Sequence, residues 1–269
     1  MTGNTKALRL RIKSVTSTLQ LTKAMGLVAS SKIRRANLAM QNARQYRAAL
    51  LKSVSVLTAD TESQKSPYMR NNNTSITKII VIAGDRGMAG GYNANVVRVA
   101  NEYPDAEIIP IGKRAYDRFG KELYSSEKFE FSEAKKLADT LCDEFEKGEF
   151  DRLGIIYTKY VSAMTVEPQI EWILPLTRDE KAQASSTVFE PDRLTVLNNA
   201  IKEYVAGMLT SFIRESFACE VTARRMAMDS AGKNAKQMID DLSLEYNRAR
   251  QGAITQEITE IVAGSGEMQ

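Results

Sequence analysis

The residues best placed to do chemistry lie in one run, Gly84-Asp85-Arg86-Gly87-Met88-Ala89-Gly90-Gly91-Tyr92-Asn93, between an apolar stretch and a helical one. That is where α/β proteins hold phosphates, because the first turn of a helix offers free N–H groups. The glycine spacing fits neither the GxGxxG dinucleotide pattern nor the GxxxxGK[ST] phosphate loop. A tight strand-to-helix connection needing positive φ is the stronger reading. Glu220 and Arg224, four apart, read as a surface ion pair worth about 0.2–0.5 kcal/mol, or as a contact surface on a moving partner. Cys142 and Cys219 have no second cysteine and no histidine near them in sequence, so they read as small packing residues, not nucleophiles. The chain contains no histidine at all, which removes Ser-His-Asp and Cys-His nucleophiles and every His-ligated metal site. No pair of carboxylates in a defined loop suggests acid–base catalysis, and no cofactor is expected.

Charge is distributed unevenly. The first 59 residues carry eleven bases (Lys6, Arg9, Arg11, Lys13, Lys23, Lys32, Arg34, Arg35, Arg44, Arg47 and Lys52) and no acid, leaving 26 bases against 33 acids, a net of −7, in the remainder. Such polarity asks for an acidic partner. The cluster Lys32-Ile33-Arg34-Arg35 suits nucleic acid only weakly, since Tyr46 is the arm's one aromatic residue and no binding-module signature is present. A composition 43% hydrophobic and 26% charged over 269 residues excludes a disordered or membrane-embedded chain. No secretory signal, transit peptide or eighteen-residue apolar run is visible.

These residues need elements to position them. From about residue 4 to 57, apolar or small residues recur in steps of three and four: Leu8, Ile12, Val15, Leu19, Met25, Ala29, Ile33, Ala36, Met40, Ala43, Leu50, Val54 and Leu57, with Thr22 and Arg47 interrupting. That predicts one long helix with a heptad seam. Residues 58–77 read as a polar linker. Strands are expected at 78–83, 106–111, 152–158 and 165–174, alternating with helices at 92–100, 113–121 and 131–147, so 78–188 reads as a small α/β domain. Pro191 is positioned for a helix first turn. From 189 to about 262 a second long helix follows, its seam running through Leu194, Leu197, Ile201, Tyr204, Met208, Phe212, Cys219, Ala223, Met226, Met238, Leu242, Ala249, Ile258 and Ile261. Most of the helical methionines, Met25, Met40, Met208, Met226, Met228 and Met238, are expected in packed positions. The expected fold is therefore α/β: two long terminal helices, 1–57 and 189–269, forming an antiparallel coiled coil, plus a central small Rossmann-like domain. The C-terminal helix is the longer by roughly fifteen residues, so its tip should extend past the pair.

Three stretches converge on one family. Ile12-Lys13-Ser14-Val15, Leu21-Thr22-Lys23-Ala24-Met25 and Val28 to Ala36 resemble the N-terminal helix of the γ subunit of F-type ATP synthases. The glycine run is similar to that family's loop after its first strand. Tyr246 to Gln251 and Ile254 to Gly264 resemble its C-terminal signature. Departures occur at Ser265 and Glu267, and at Met88 and Ala89 in the loop, where the family more often has Leu and Cys. No cysteine-bearing regulatory insertion is visible, which points to a bacterial member.

The resemblance implies a non-catalytic rotor shaft. It would turn inside a hexamer of α and β subunits, carry an ε subunit, and associate with the cytoplasmic face of the bacterial plasma membrane only through a c-subunit ring. The glycine loop would be structural. Met25 matches the position facing the acidic lever of a β subunit, Glu220 and Arg224 the polar pair supporting that contact, and Arg250, Gln251, Thr255 and Glu257 the residues meeting a β catch loop. Two alternatives remain on residues alone: an α/β nucleotide- or phosphate-binding enzyme with a helical dimerisation arm, and a nucleic-acid-binding protein.

Overall fold

The computed structural model describes residues 3–162, 165–178 and 189–266. Two long helices, α1 (Gly3–Thr58) and α5 (Arg193–Gly266), flank four strands and three shorter helices: β1 (Thr77–Ile82), α2 (Tyr92–Ala100), β2 (Glu107–Ile111), α3 (Lys113–Phe119), α4 (Phe131–Glu146), β3 (Arg152–Tyr160) and β4 (Val166–Leu174). The chain divides into two compact units whose limits cut both long helices: residues 30–224, and residues up to 29 together with those from 225 onward.

In the first unit the strands form one sheet ordered β2-β1-β3-β4, with β1 parallel to β2 and β3, and β4 antiparallel to β3. Ile79 to Ala83 form a continuous apolar run because β1 is covered on both faces. Ile80 and Ile82 point into a large core shared with Val54 and Leu57 of α1, Leu141 and Phe145 of α4, and Leu197 to Ile213 of α5. Ile79 and Val81 point the other way, against Val96 and Ala100 of α2 and Ala115 of α3. The ends of β1 and β2 approach so closely that a Cβ on Gly112 (φ 91°) would stand 2.0 Å from the Ala83 carbonyl oxygen.

The stretch expected as a linker is built into this unit. Two 3₁₀ turns, Thr61–Lys65 and Pro67–Met69, follow α1. Tyr68 is buried and stacks on Phe145 with ring centroids 6.1 Å apart. The polar residues act as caps: Asp60 accepts from the Glu62 amide, Ser66 donates to Asn198, and Asn72 donates to the Phe145 and Phe150 carbonyls at 2.9 Å each. Pro191 lies outside α5 rather than in its first turn. Asp192 caps the helix instead, its carboxylate accepting from the Thr195 amide and hydroxyl at 2.8 and 2.7 Å.

Helices α1 and α5 pair antiparallel within each unit. In the sheet-bearing unit the Ser211 hydroxyl donates to the Ala43 carbonyl and Arg193 donates to that of Val56. Here α5 has no single seam. Ile201, Tyr204, Val205, Ala206, Met208, Leu209, Phe212 and Ile213 bury nearly every face, because sheet, α4 and α1 surround the helix. In the second unit a seam does form, and its register differs from the expected one. Met228, Ala235 and Leu242, seven apart, are buried, while Met226 and Met238 are exposed. Gly26 lies beside Met228, and Leu19 and Thr22 beside Gly232. Thr22 therefore sits in the seam, not in a break of it. Beyond the partner helix the side chains from Ile254 to Ala263 are all exposed. Among the described residues no helix is long and apolar enough to cross a membrane.

Candidate functional site

The glycine loop joins β1 to α2, with Gly91 as the cap of the helix. Its positive φ values fall at Met88 and Gly90. Asn93, in the first turn of α2, closes the loop from within: its side-chain oxygen accepts from the Gly84 amide at 2.9 Å and its amide donates to the Arg86 carbonyl.

The loop's own carboxylate, Asp85, is held by donors from outside the loop. Asp85 accepts from the Ser125 hydroxyl at 2.6 Å and from the amides of Lys113, Ser126 and Glu127 at 3.1 Å each. Burial works to raise the Asp85 carboxyl, but these four donors outweigh it and hold the group below its ordinary value. Glu220 of α5 lies under Gly84. A Cβ there would stand 2.6 Å from the Glu220 carboxyl carbon, so a larger residue has to displace that carboxylate. The geometry suits a structural connection.

Glu220 and Arg224 form an ion pair at 2.5 Å, with side chains only 4% and 12% exposed. The surface pair expected from their spacing is thus a buried one. Arg224 also donates to the carbonyls of Gly87 and Arg86, both at 3.2 Å. Burial pushes the Glu220 carboxyl above its usual value, Arg224 pulls the other way, and nearby Asp85 and Glu127 add to the rise. Glu220 faces its own chain.

A second buried carboxylate escaped the sequence reading. Glu215 on α5 meets Arg44 at 2.6 Å and Arg47 at 3.1 Å, and accepts from the Tyr160 amide at 3.0 Å. Arg44 donates as well to the Tyr160 carbonyl, at 2.8 Å. The signal was Arg47 itself, a charge standing in an apolar seam. The acid-free arm is therefore answered in part from within: Arg44 and Arg47 by Glu215, Lys32 by Glu127. Lys6, Arg9, Arg11, Lys13, Lys23, Arg34, Arg35 and Lys52 remain exposed. Burial pushes the thiols of Cys142, to about 12, and Cys219 upward, as packing residues require.

The remaining expected contact residues lie apart. Met25 is half-buried on α1, next to the Gly26–Met228 crossing. Arg250, Gln251, Thr255 and Glu257 are exposed on the last turns of α5, roughly 30 Å of helix beyond Met228. They share that surface with Ile254, Ile258, Ile261 and Val262, exposed by 47, 56, 71 and 64%. The seven residues are divided between the units: Met25 and the tip four stand at two places in one, Glu220 and Arg224 in the other. Glu267 lies outside the described residues.

A sheet domain inserted between two long helices that pair antiparallel within each unit is the architecture of a stalk-type protein. Comparison with known proteins gives the particular lineage. A family model described as ATP synthase matches residues 4–266. The chain is 41% identical to the ATP synthase gamma chain of Ruminococcus albus over 98% of both chains. It is 36% identical to the sodium-ion-specific gamma chain of Acetobacterium woodii, over 98% of this chain and 99% of that one. Among solved structures it resembles a chain of the Euglena gracilis mitochondrial ATP synthase rotor, with TM-score 0.67 and 19% identity over 94% of this chain and 99% of that one. A chain in the OSCP/F1/c-ring structure of the same enzyme gives TM-score 0.71 at 18% identity, covering 99% and 95%. This chain belongs to the ATP synthase γ-chain family.

Proposed function

We propose that this chain is the central rotor shaft of an F-type ATP synthase, coupling ion flow through a membrane ring to ATP synthesis or hydrolysis at the β subunits. The observation that carries the reading is the end of α5: an α-helix extending past its partner, with apolar and polar contact groups exposed together. Such a surface requires an enclosing partner. The alternating hexamer of α and β subunits supplies it, and the α/β domain binds an ε subunit and the c-subunit ring. Membrane association is indirect, on the cytoplasmic face of a bacterial plasma membrane.

The chain contributes no catalytic group; nucleotide chemistry belongs to the β subunits. Met25, Arg250, Gln251, Thr255 and Glu257 are the β-contact residues, and Glu220 and Arg224 act behind them. A shaft must meet three similar partners in turn, so fixed strong bonds would stall it. Exposed polar contacts of about 0–1 kcal/mol each exchange easily. Exposed bases such as Arg34 and Arg35 offer the complementary charge for an acidic lever.

Co-expression with α and β subunits tests the proposal. Native mass spectrometry should find a single copy of this chain within an α/β hexamer, with ATP hydrolysis depending on its presence. A chain that ignores both subunits, or a hexamer equally active without it, overturns the reading.

A further inference from the structure

The rotor reading leaves open how a sheet domain holds a helix firmly enough to turn it. Apolar packing alone resists separation better than it resists sliding, because dispersion contacts have no preferred direction. Directional bonds are needed at the periphery. The glycine loop supplies them at the edge where β1 ends. Arg224 reaches from α5 to two successive loop carbonyls, those of Arg86 and Gly87. Glu220, one turn earlier on the same helix, fixes the guanidinium and fills the space beneath Gly84. The loop is held from the other side as well. Asp85 gathers the 125–127 turn, whose Glu127 pairs with Lys32 of α1. One loop thus ties the end of β1 to both long helices.

We propose that Glu220 and Arg224 are positioning residues: they form a latch that locks the glycine loop to α5, so that the sheet domain and the helix turn as one body. The family signature places this pair behind a β-subunit contact; the latch gives it a different, internal role, transmitting torque within the chain. The mechanical consequence rests on the rotor reading, whereas the latch itself is a property of the isolated chain.

Two measurements separate these. The first is hydrogen exchange on the full-length chain. Glu220→Ala and Arg224→Ala should each speed exchange of the Gly84 amide, which donates to Asn93, and of the Arg114 amide, which donates to the Gly84 carbonyl, by about tenfold or more, since a charge-assisted tether of the loop is lost. Gly84→Ala should do the same by pushing the Glu220 carboxylate aside. The double variant Gly84→Ala/Glu220→Ala should be no worse than Glu220→Ala alone, because the methyl group then has space. General destabilisation would instead add. Arg224→Gln serves should Arg224→Ala fail to fold. Unchanged loop exchange, or additive damage in the double variant, overturns the latch.

The second measurement uses the assembled complex in vesicles and reads ions pumped per ATP hydrolysed. The latch variants should lose pumping per ATP, and the double variant should lose no more than Glu220→Ala alone. Faster loop exchange with an unchanged pumping ratio overturns the torque role. Failure of the unsubstituted chain to assemble overturns the rotor reading and the torque role together, leaving the exchange result to judge the latch alone.

Discussion

Glu215→Gln is the substitution whose cost follows most directly from the geometry. The glutamine is isosteric and leaves no cavity. Its side-chain oxygen can still accept from the Tyr160 amide and Arg44, as Oε1 does now at 3.0 and 2.6 Å. Its amide nitrogen must then stand where Oε2 stands, 3.1 Å from an Arg47 donor. Two donors face each other, and two arginines lose their counter-charge. Removing one partner of a fully buried pair costs about 3–5 kcal/mol. Here the carboxylate is 1% exposed but Arg44 and Arg47 are 35 and 18% exposed, so water partly screens the orphaned charges. A loss of about 2–3 kcal/mol is expected, a drop of about 4–12 °C in the melting transition of the sheet-bearing unit. Differential scanning calorimetry or circular dichroism on the isolated chain reads it. Pairing the substitution with Arg47→Met should return part of the loss, because the opposed donor is gone. A fall of less than about 0.5 kcal/mol for Glu215→Gln would refute the claim that this carboxylate holds the arm to α5.

Asp85 makes stability depend on acidity. Its folded-state carboxyl lies below the ordinary value, so its contribution is present above the unfolded value of about 3.9 and is lost as pH falls through the folded value. Asp85→Asn should therefore unfold more easily than the parent near neutrality, and the two denaturation midpoints should converge below that pH; a constant gap down to the acid transition would refute the assignment. Met25→Lys should assemble with α and β yet pump fewer ions per ATP hydrolysed, since it places a fixed charge at the proposed β contact; normal pumping counts against that site. Ending the chain after Ala253 should leave the melting midpoint within about 1 °C, because the side chains from Ile254 to Ala263 are exposed, while coupling in the assembled complex should fall.

Local signals carried much of the fold. Hydrophobic period and the glycine run after β1 placed the strands and helices to within a few residues. What stayed hidden was set by tertiary neighbours. The polar run after α1 looks like a tether until Ser66 meets Asn198 and Asn72 meets two carbonyls far along the chain. Glu220 and Arg224 look like a surface pair because spacing four apart says only that two side chains share a helix face. The loop carbonyls that bury them come from more than 130 residues earlier. Asp85 was part of a recognised motif, yet its function depends on a turn at 125–127 that nothing near it announces. The proposed β-contact residues could be named only through resemblance, because an exposed threonine or glutamine carries no physical mark of a role until a partner is seated on it.

The long C-terminal helix shows why periodicity misled there. One helix meets three solvents in turn. Between Ile201 and Thr222 it is enclosed by protein, and apolar residues spread around its circumference. From Met228 to Leu242 one partner helix covers one stripe, and a heptad suffices. Past Ala253 nothing among the described residues covers it, yet Ile254, Ile258, Ile261 and Val262 persist on its surface. A single seam drawn through all three averages environments that have no common face. It therefore assigns Met226 and Met238 to a stripe they do not occupy. The exposed end is the informative one. A chain selected only for its own stability would place polar residues there, as it does on the outer face of the same helix at Lys233, Lys236 and Asp240. Keeping four branched apolar residues in water costs solubility and adds nothing to the fold, so their benefit must lie in a surface that encloses them. In the proposed shaft, interleaving them with Gln251, Thr255 and Glu257 would keep each contact weak enough to break, as a surface visited in rotation requires.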